Sequence, residues 1–420
     1  MIELRTPIQV KEAVKKVLAL KKKEQSEFVL ISDCDNRYLA EDILADHDVP
    51  PFTRSKVDGF AVRSIDTQDA AKEIPSNFSV IEEIGAGTVA KNHPQKGEAI
   101  RIMTGAQLPI GTDCVVMLEH VLQYKKKGSH YFQLEQELNP GMNVSYQGED
   151  LQKGSSLIKK GRRITPGIMS LLATFGYNKV SVYKKPKIGI IATGTELLEV
   201  EQPLQPGKIR NSNSYMVASQ IRKMGAEPIL LGQLVDDLEL SYQYILEQLK
   251  NIDYLITTGG VSVGDYDLLP EIYQKLGANV LFNKVQMRPG SVTTVAEWNG
   301  KALFGLSGNP SACYVGLEFF VRPLILESFS NPYPHLEKVQ AILLKDELQT
   351  NVFTRFIRGF YHERDGKLFV QPIGLDQSHA ISSLAEANSL IIVPANQTMK
   401  KNDIVEVLLL EGRGSEWPWR

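Results

Sequence analysis

The stretch Thr257-Thr258-Gly259-Gly260-Val261-Ser262-Val263-Gly264-Asp265-Tyr266-Asp267 follows a short apolar run, Tyr254-Leu255-Ile256, that is typical of a buried parallel strand. Its three glycines let backbone N–H groups approach a ligand closely. Because Pro270 suits the first turn of a helix, the stretch predicts an anion site between a strand and a helix. The two aspartates would repel a bare phosphate, which implies a hard cation such as Mg²⁺. The alternative is an ordinary glycine turn with solvated aspartates.

The residues around this stretch alternate between strand and helix patterns. Such alternation predicts a three-layer α/β domain with a largely parallel sheet. Further on, Trp298-Asn299-Gly300-Lys301 predicts a hairpin turn, and a helix is expected over 311–328. The alternating segments are 188–192, 214–224, 228–231, 239–250 and 254–257.

The flanking regions have different patterns. Thr6-Pro7-Ile8-Gln9 predicts a helix start with Thr6 as the cap, and a second helix is expected over 166–175 with Thr165 as its cap. Strand-like runs with glycine turns over 78–121 indicate a mostly β insert. Short strands over 338–410 indicate a small β domain.

Length, charge and cysteine content narrow the class of protein. The chain has 420 residues, which predicts roughly three or four domains, and a net charge of −2, which does not favour nucleic acid or an anionic membrane. The three cysteines are far apart, so we expect reduced thiols and a cytoplasmic protein without structural zinc. No secretory signal is recognisable, and no stretch approaches the roughly 20 apolar residues of a membrane span.

Acidic residues follow three of the predicted strands. Glu196 lies in Ala192-Thr193-Gly194-Thr195-Glu196, Asp236 follows Val235, and Asp267 ends the glycine loop. Open α/β sheets bind ligands at the carboxyl edge of their strands, so these three carboxylates are expected to converge on one cation. Any one of them alone is more often a helix cap or a solvated loop residue.

Basic and glycine-containing segments further along predict oxyanion binding. Lys284 and the Arg288-Pro289-Gly290-Ser291 segment supply positive charge, and Ser307-Gly308-Asn309-Pro310 offers backbone donors at a helix start. The sequence contains no GxxxxGK[ST], GxSxG, HExxH or paired CxxC motif, so P-loop, α/β-hydrolase and zinc chemistry have no support.

Several motifs in this order resemble one known family. Thr258-Gly259-Gly260-Val261-Ser262-Val263-Gly264 and Ser307-Gly308-Asn309-Pro310 are similar to motifs of the molybdopterin molybdenumtransferases, MoeA and the E domain of gephyrin. The similarity extends over nearly the whole chain. It includes the segments 55–62, 101–106, 356–359 and 378–383.

The resemblance implies a multidomain fold with a three-layer α/β molybdopterin-binding domain, a mostly β insert and a small C-terminal β-barrel. The expected boundaries are 1–48 with 144–184 for a discontinuous linker and dimerisation domain, 49–143 for the insert, 185–330 for the α/β domain and 335–411 for the barrel. It also implies a homodimer with a shared active site. Expected partners are a molybdopterin adenylyltransferase and molybdoenzyme chaperones.

The activity implied by the resemblance completes molybdenum cofactor synthesis. Adenylylated molybdopterin and molybdate are the substrates, Mg²⁺ is the cofactor, and AMP is released. Glu196, Asp236 and Asp267 would face Mg²⁺ and the pyrophosphate, and Asp58 and Thr104 would come from the partner subunit. The catalytic set also includes Asp150. The residues expected to bind substrate are Thr193, Gly194, Gly259, Gly260, Val261, Ser262, Gly264, Lys284, Arg288, Gly308, Asn309, Pro310, Arg358 and Ser378, with Lys284, Arg288, Arg358 and Ser378 suited to molybdate.

The chain departs from the common family pattern in two places. Arg288-Pro289-Gly290-Ser291-Val292 stands where a Lys-Pro-Gly-Lys/Arg-Pro run is usual, and Leu306-Ser307-Gly308-Asn309-Pro310 where Leu-Pro-Gly-Asn-Pro is usual. One cation and two prolines near the expected molybdate pocket are therefore replaced.

Two other functions remain open on the sequence. One is a binding or scaffold module that keeps the fold, because gephyrin's E domain also clusters receptors. The retained acids Glu196, Asp236 and Asp267 argue against a pure scaffold. The other is a nucleotide-binding enzyme unrelated to molybdenum that uses the same Mg²⁺ and phosphate site.

Overall fold

The computed structural model describes residues 6–260, 268–412 and 414–419. The chain forms two compact units. The larger unit comprises Met1–Glu41, Lys160–Ser170 and Tyr177–Arg420, and the smaller unit comprises Asp42–Lys159 and Leu171–Gly176. Val261, Ser262, Gly264, Asp265 and Asp267 of the glycine-rich stretch lie outside the described residues.

A six-stranded sheet forms the centre of the larger unit. Its first four strands run parallel to one another, and the fifth is antiparallel to both the fourth and the sixth. In spatial order they are Glu227–Gln233, Lys187–Ala192, Tyr254–Thr258, Lys301–Leu306, Thr294–Trp298 and Asn279–Phe282. The helices of this region are Asn213–Met224, Leu238–Gln248, Leu269–Leu276 and a run formed by Pro310–Gly316, the π-helix Leu317–Val321 and Arg322–Glu327.

Helices cover both faces of this sheet. Successive side chains of a strand point to opposite faces. Leu255 accordingly packs in one hydrophobic cluster with Ile245 and Ile272, whereas Ile256 packs in another with Val217. The three-layer α/β prediction is therefore confirmed. The predicted hairpin is also present, because Trp298 pairs with Lys301 across the turn.

The C-terminal part of the chain is a closed β-barrel, which confirms the fold predicted from the resemblance. The strand Thr354–Arg364 pairs with Lys367–Pro372 on one side and with Ser389–Val393 on the other, which closes the sheet. Glu337–Leu343 and Ile404–Leu409 complete the ring. The flanking elements are Met287–Arg288, Glu347–Leu348, Met399–Lys400 and the helix Ser382–Glu386.

The N-terminal helix begins later than predicted. It spans Val10–Leu18 with Gln9 as its N-cap, so the prediction of a start at Thr6 is wrong. The N–H of Ile8 donates to the Lys284 carbonyl at 3.1 Å, and the N–H of Gln286 donates to the Ile8 carbonyl at 2.8 Å. This pairing holds the segment extended, and tertiary contacts override the local capping pattern.

The larger unit also contains several short elements. The strands Ser26–Leu30 and Lys179–Tyr183 pair with each other, and so do Leu197–Leu198 and Ile209–Arg210. Ile31–Asp33 forms a single helical turn.

The smaller unit is mostly β, as predicted for the insert. Stacked rings of Phe60, Phe78 and Phe132 lie in its core, with centroids 4.3 and 5.0 Å apart. Its sheet contains, in spatial order, Cys114–Met117, Gly59–Val62, Glu98–Ile102, Ser76–Ile84, Ser129–Leu134 and Val121–Lys126. The remaining elements are Ile43–Leu44 with Ser156–Ile158, Arg54–Ser55 with Val144–Ser145, and the turns Ser64–Thr67 and Leu118–His120. The helix Pro166–Thr174, of which 166–170 belong to the larger unit and 171–174 to the smaller, matches the one expected over 166–175.

The three cysteines are free and buried. Burial raises the pKa of the Cys114 and Cys313 thiols to about 12, and it raises the pKa of Cys34 as well. In the described residues, no helix has both the length and the apolar character needed to span a membrane. The domain boundaries expected from the resemblance stay a prediction.

Candidate active site

A cavity of about 830 Å³ opens at the carboxyl edge of the parallel strands in the larger unit. Loops that follow four neighbouring strands line it. These loops begin after Ala192, Gln233, Thr258 and Leu306, which are the last residues of their strands. The predicted site residues that line the cavity are Thr193, Gly194, Glu196, Asp236, Gly259, Gly260, Gly308, Asn309 and Pro310.

The described part of the glycine loop packs directly on the Thr193 loop. Gly259 and Gly260 have φ angles of +89° and +63°, which favour glycine. A Cβ at Gly259 would lie 2.7 Å from the Thr193 carbonyl oxygen, and one at Gly260 would lie 2.7 Å from Thr193 Oγ1. The Thr193 N–H and Oγ1 in turn donate to the Thr258 carbonyl at 3.0 and 3.2 Å. Both glycines are therefore required by conformation and by space.

The Gly308 loop completes the floor of the cavity. The Gly259 N–H donates to the Leu306 carbonyl at 2.9 Å, and a Cβ at Gly308 would reach Gly259 Cα at 3.5 Å. Asn213, at the start of the helix Asn213–Met224, donates from Nδ2 to the Gly308 carbonyl at 2.8 Å. Its Oδ1 is buried and has no hydrogen-bond partner within the described residues. The cavity wall thus contains an unused acceptor.

Two of the three predicted metal ligands lie on this cavity. Glu196 and Asp236 are both exposed and both line it. The neighbouring Asp237 has another task, because its Oδ1 accepts from the Leu240 N–H at 2.9 Å and caps the helix Leu238–Gln248. Across residues 6–260, 268–412 and 414–419, no group of three His, Cys, Asp or Glu side chains is arranged to hold a metal. Asp267 is outside these ranges, so the three-carboxylate site stays a prediction.

The predicted basic residues do not line this cavity. Arg288 is exposed and lies in a short strand that pairs with Thr354 and Arg355 of the barrel. Burial, and secondly the charge of Arg288, lowers the pKa of Arg355. The half-buried Lys284 accepts the Ile8 N–H through its carbonyl. Their assignment to molybdate stays a prediction.

A barrel loop closes one side of the cavity. His379 and Ile381 line it, and Ser311, at the helix start, binds this loop through its N–H to the Ser378 carbonyl at 3.0 Å and its Oγ to the Ala380 carbonyl at 2.7 Å. Ser378 itself is half-buried.

Arg358, on the barrel strand Thr354–Arg364, holds the same loop. The residue is 1% exposed, and its guanidinium donates to Ser383 Oγ at 2.6 Å and to the carbonyls of Leu375 and Gln377 at 2.6 and 3.1 Å. Burial lowers the pKa of Arg358. In this structure, Arg358 therefore positions the segment that carries Ser378.

Asp58, Thr104 and Asp150 belong to the smaller unit. Asp58 Oδ1 accepts from both the N–H and the Oγ1 of Thr104, each at 2.7 Å. The hydrogen bond from the Thr104 backbone, followed by the one from its hydroxyl, lowers the pKa of Asp58, which favours the carboxylate. Asp150 is exposed, and its N–H donates to the Val49 carbonyl at 3.0 Å. The structure thus pairs two predicted site residues that are 46 positions apart.

Some lining residues were missed by sequence reasoning. The run Arg210-Asn211-Ser212-Asn213 lines the cavity immediately before and at a helix start, and its polar composition was a usable signal. His379 and Ile381 gave no such signal, because only the tertiary fold brings the barrel loop to the cavity. Leu234, Leu268 and Val292 add apolar wall.

The fold and the cavity define the class of protein. A glycine loop, two exposed carboxylates and a loop of the barrel surround one cavity at the carboxyl edge of the sheet. This arrangement is typical of an enzyme that binds a small anionic substrate. The chain matches three family models in succession: "MoeA N-terminal region (domain I and II)" over residues 8–176, "Probable molybdopterin binding domain" over 189–327 and "MoeA C-terminal region (domain IV)" over 340–410.

The sequence is similar to molybdopterin molybdenumtransferases along nearly their whole length. The molybdopterin molybdenumtransferase of Bacillus subtilis (strain 168) is 53% identical over 421 residues, covering 100% of this chain and 98% of the relative. That of Staphylococcus epidermidis (strain ATCC 12228) is 43% identical, covering 99% and 98%. A molybdopterin biosynthesis MoeA protein from Pyrococcus horikoshii OT3 has a TM-score of 0.81 at 30% identity and covers 96% of this chain and 100% of its own. The chain belongs to the molybdopterin molybdenumtransferase family, which confirms the predicted family and class of enzyme.

Proposed function

We propose that this chain inserts molybdenum from molybdate into adenylylated molybdopterin, with Mg²⁺-dependent release of AMP. One observation carries the proposal: the cavity at the strand edge combines the packed Gly259–Gly260 loop with the open carboxylates Glu196 and Asp236. The first feature suits phosphate oxygens and the second suits a hard cation that neutralises them.

The donor set fits Mg²⁺. Glu196 and Asp236 present oxygen ligands from two neighbouring loops, and neither carboxylate forms an ion pair with another described residue. Mg²⁺ prefers such oxygen ligands together with water and phosphate oxygens. When bound, it would neutralise charge on the pyrophosphate during AMP release. In the proposal, Asp267 contributes the third carboxylate.

The protein groups would act mainly by binding and orientation. Apart from Gly259, whose N–H donates to the Leu306 carbonyl, backbone N–H groups of the glycine loop would bind the phosphates. The neighbouring Gly308 loop, with Asn309 and Pro310, would add further contacts. Arg358 holds the barrel loop so that Ser378 stays at one edge of the cleft. Lys284 and Arg288 would attract molybdate, and the planar guanidinium of Arg288 can hold two oxygens of a tetrahedral anion.

The active site in this proposal is shared within a homodimer. Asp58 and Thr104 form one hydrogen-bonded pair in the smaller unit, and we assign this pair to the cavity of the partner subunit. A molybdopterin adenylyltransferase would supply the substrate, and molybdoenzyme chaperones would accept the product, in the cytoplasm.

The test of function is a reaction with purified protein. Adenylylated molybdopterin, Mg²⁺ and molybdate are supplied together, and AMP is measured with each component omitted in turn. We expect AMP release that requires both Mg²⁺ and molybdate. AMP release that does not depend on molybdate would instead indicate a nucleotide-binding enzyme. If the protein binds the substrate but releases no AMP, it is a binding or scaffold module.

The shared site is tested by mixed dimers. Asp58→Ala and Asp236→Ala are each expected to be nearly inactive alone. In a heterodimer with shared sites, one cavity collects both defects and the other none, so activity recovers to about half of the unmodified dimer. Tandem purification with two tags isolates the heterodimer. Proven heterodimers that recover no activity would rule out the shared site.

A further inference from the structure

A second cavity lies in the larger unit, away from the first. Its volume is about 850 Å³. The helix Asn213–Met224 has its first residue at the first cavity and its last residue at the second. At a rise of 1.5 Å per residue, this helix separates the two cavities by roughly 18 Å. A ligand in the second cavity would therefore occupy a site of its own.

The second cavity has a surplus of positive charge. Its described lining includes four basic side chains and two acidic ones, although the whole chain has a net charge of −2. Lys223 pairs with Glu411 at 3.2 Å, and both side chains are more than half exposed, so this pair is weak. Arg162 and Arg163 form no ion pair within the described part of the chain. These two guanidinium groups are available to an anion.

Arg322 provides a buried donor in the same wall. Its side chain is 14% exposed, and its Nη1 lies 3.4 Å from Glu318 Oε2, which is a long contact. Its Nε is buried and has no hydrogen-bond partner among the residues that the structure describes. A buried donor without an acceptor costs free energy, so the protein's own acceptors leave this guanidinium incompletely paired, and its exposed part lines the cavity.

An aromatic side chain stands beside the basic groups. Tyr333 lines the cavity and remains 44% exposed. Tyr38 also lines the cavity, is buried and stacks on Phe329 with ring centroids 4.6 Å apart. An exposed ring next to guanidinium groups suits a molecule with a planar ring and an anionic group.

We propose that the second cavity binds a small phosphate monoester with a planar ring, with the phosphate on Arg322 and Arg163 and the ring against Tyr333. A phosphate monoester carries close to two negative charges at neutral pH, which matches the charge surplus of the lining. One guanidinium group can donate two parallel hydrogen bonds to two oxygens of a phosphate. The volume of the second cavity lies in the range of pockets that bind small molecules. This site does not depend on the chemistry at the first cavity.

The test is calorimetric titration of the full-length protein with phenyl phosphate. Arg163→Ser removes an exposed guanidinium from the cavity. The double variant Glu318→Gln, Arg322→Met removes the buried guanidinium together with its acid, so no unpaired charge is left in the interior. The matched control is Arg364→Ser, which removes an exposed arginine of the barrel that does not line the cavity.

We expect each cavity variant to weaken phenyl phosphate binding about tenfold or more, and the control to leave it unchanged. Should the double variant fail to fold, Arg163→Ser decides alone. Equal affinity in the unmodified protein and Arg163→Ser, or an equal loss with Arg364→Ser, overturns the site. Benzoate binding as tightly as phenyl phosphate overturns the preference for phosphate.

Discussion

Replacing Gly260 by alanine tests the packing of the two loops that form the cavity floor. At φ +63°, an alanine costs about 1–2 kcal/mol relative to its preferred conformations. Its Cβ would also lie 2.7 Å from Thr193 Oγ1, a contact too short to persist, and overpacking of this kind costs about 1–3 kcal/mol. We therefore expect Gly260→Ala to lower the free energy of unfolding by about 2–5 kcal/mol.

The overpacking cost of Gly260→Ala arises from one hydroxyl group, and a second substitution can relieve it. Thr193→Ala removes Oγ1, so the double variant should recover about 1–3 kcal/mol relative to the sum of the single changes. Gly259→Ala is the matched comparison, because its Cβ would lie 2.7 Å from the Thr193 carbonyl oxygen and 2.8 Å from Thr193 Oγ1, and Thr193→Ala removes only the second contact. The carbonyl contact persists there, so the double variant with Gly259→Ala should remain less stable than the one with Gly260→Ala.

Urea unfolding followed by tryptophan fluorescence measures these energies. All three tryptophans, Trp298, Trp417 and Trp419, belong to the larger unit, so the signal reports the unit that contains the cavity. Additive effects of Gly260→Ala and Thr193→Ala, within about 0.5 kcal/mol, would refute the steric argument.

Three further predictions concern the loss of stability at acidic pH, the separate roles of Asp236 and Asp237, and the dependence of the rate on molybdate. Burial, and secondly the charge of Arg322, lowers the pKa of His335 from 6.5 to about 4. Between these values only the unfolded chain binds this proton, so the free energy of unfolding should fall by about 2–3 kcal/mol as the pH drops from 6.5 to 4, and His335→Gln should flatten that slope in urea unfolding. Asp237→Ala should cost about 1 kcal/mol of stability through the lost cap with AMP release retained, whereas Asp236→Asn should keep stability and raise the Mg²⁺ requirement on the order of tenfold; the reverse pattern would contradict both assignments. Arg288→Ala should raise the molybdate concentration for half-maximal rate about tenfold while pterin binding changes little, and an unchanged molybdate dependence would exclude its role.

The central domain was predictable because its local patterns agree with its packing. The apolar run before Thr257 is buried on both faces, and each face meets a helix. Asn299-Gly300 forms the predicted turn because both residues adopt positive φ, which this pair tolerates better than others. Where propensity, hydrophobic pattern and turn chemistry coincide, sequence is sufficient.

The N-terminal helix shows where this agreement fails. Thr6-Pro7-Ile8-Gln9 has the composition of a capping box, but Ile8 forms backbone hydrogen bonds with residues nearly 280 positions away. A pattern within a few neighbouring residues cannot reveal such a distant hydrogen-bond partner. The helix therefore begins at Val10, after the paired residue.

The site was predictable in part for the same reason. Glycines and acids at strand ends carry a local signal, because the carboxyl edge of a parallel sheet gathers the loops that follow its strands. The role of Arg358 as the support of a loop carries no such signal, since two of its three acceptors are carbonyls that any residue supplies. Asn213 is a similar case, because only the structure shows its unused oxygen.

The burial of all three thiols matters for a protein whose proposed cargo is molybdenum bound to a dithiolene. Sulfur ligands compete for a metal mainly as thiolates. With pKa values of about 12, Cys114 and Cys313 remain protonated at neutral pH, and no side chain of either is open to solvent. In the proposed reaction, the substrate's two sulfurs would therefore meet no protein thiolate, either as a rival ligand or as a partner for a mixed disulfide. The new molybdenum–sulfur bonds would then stay with the product.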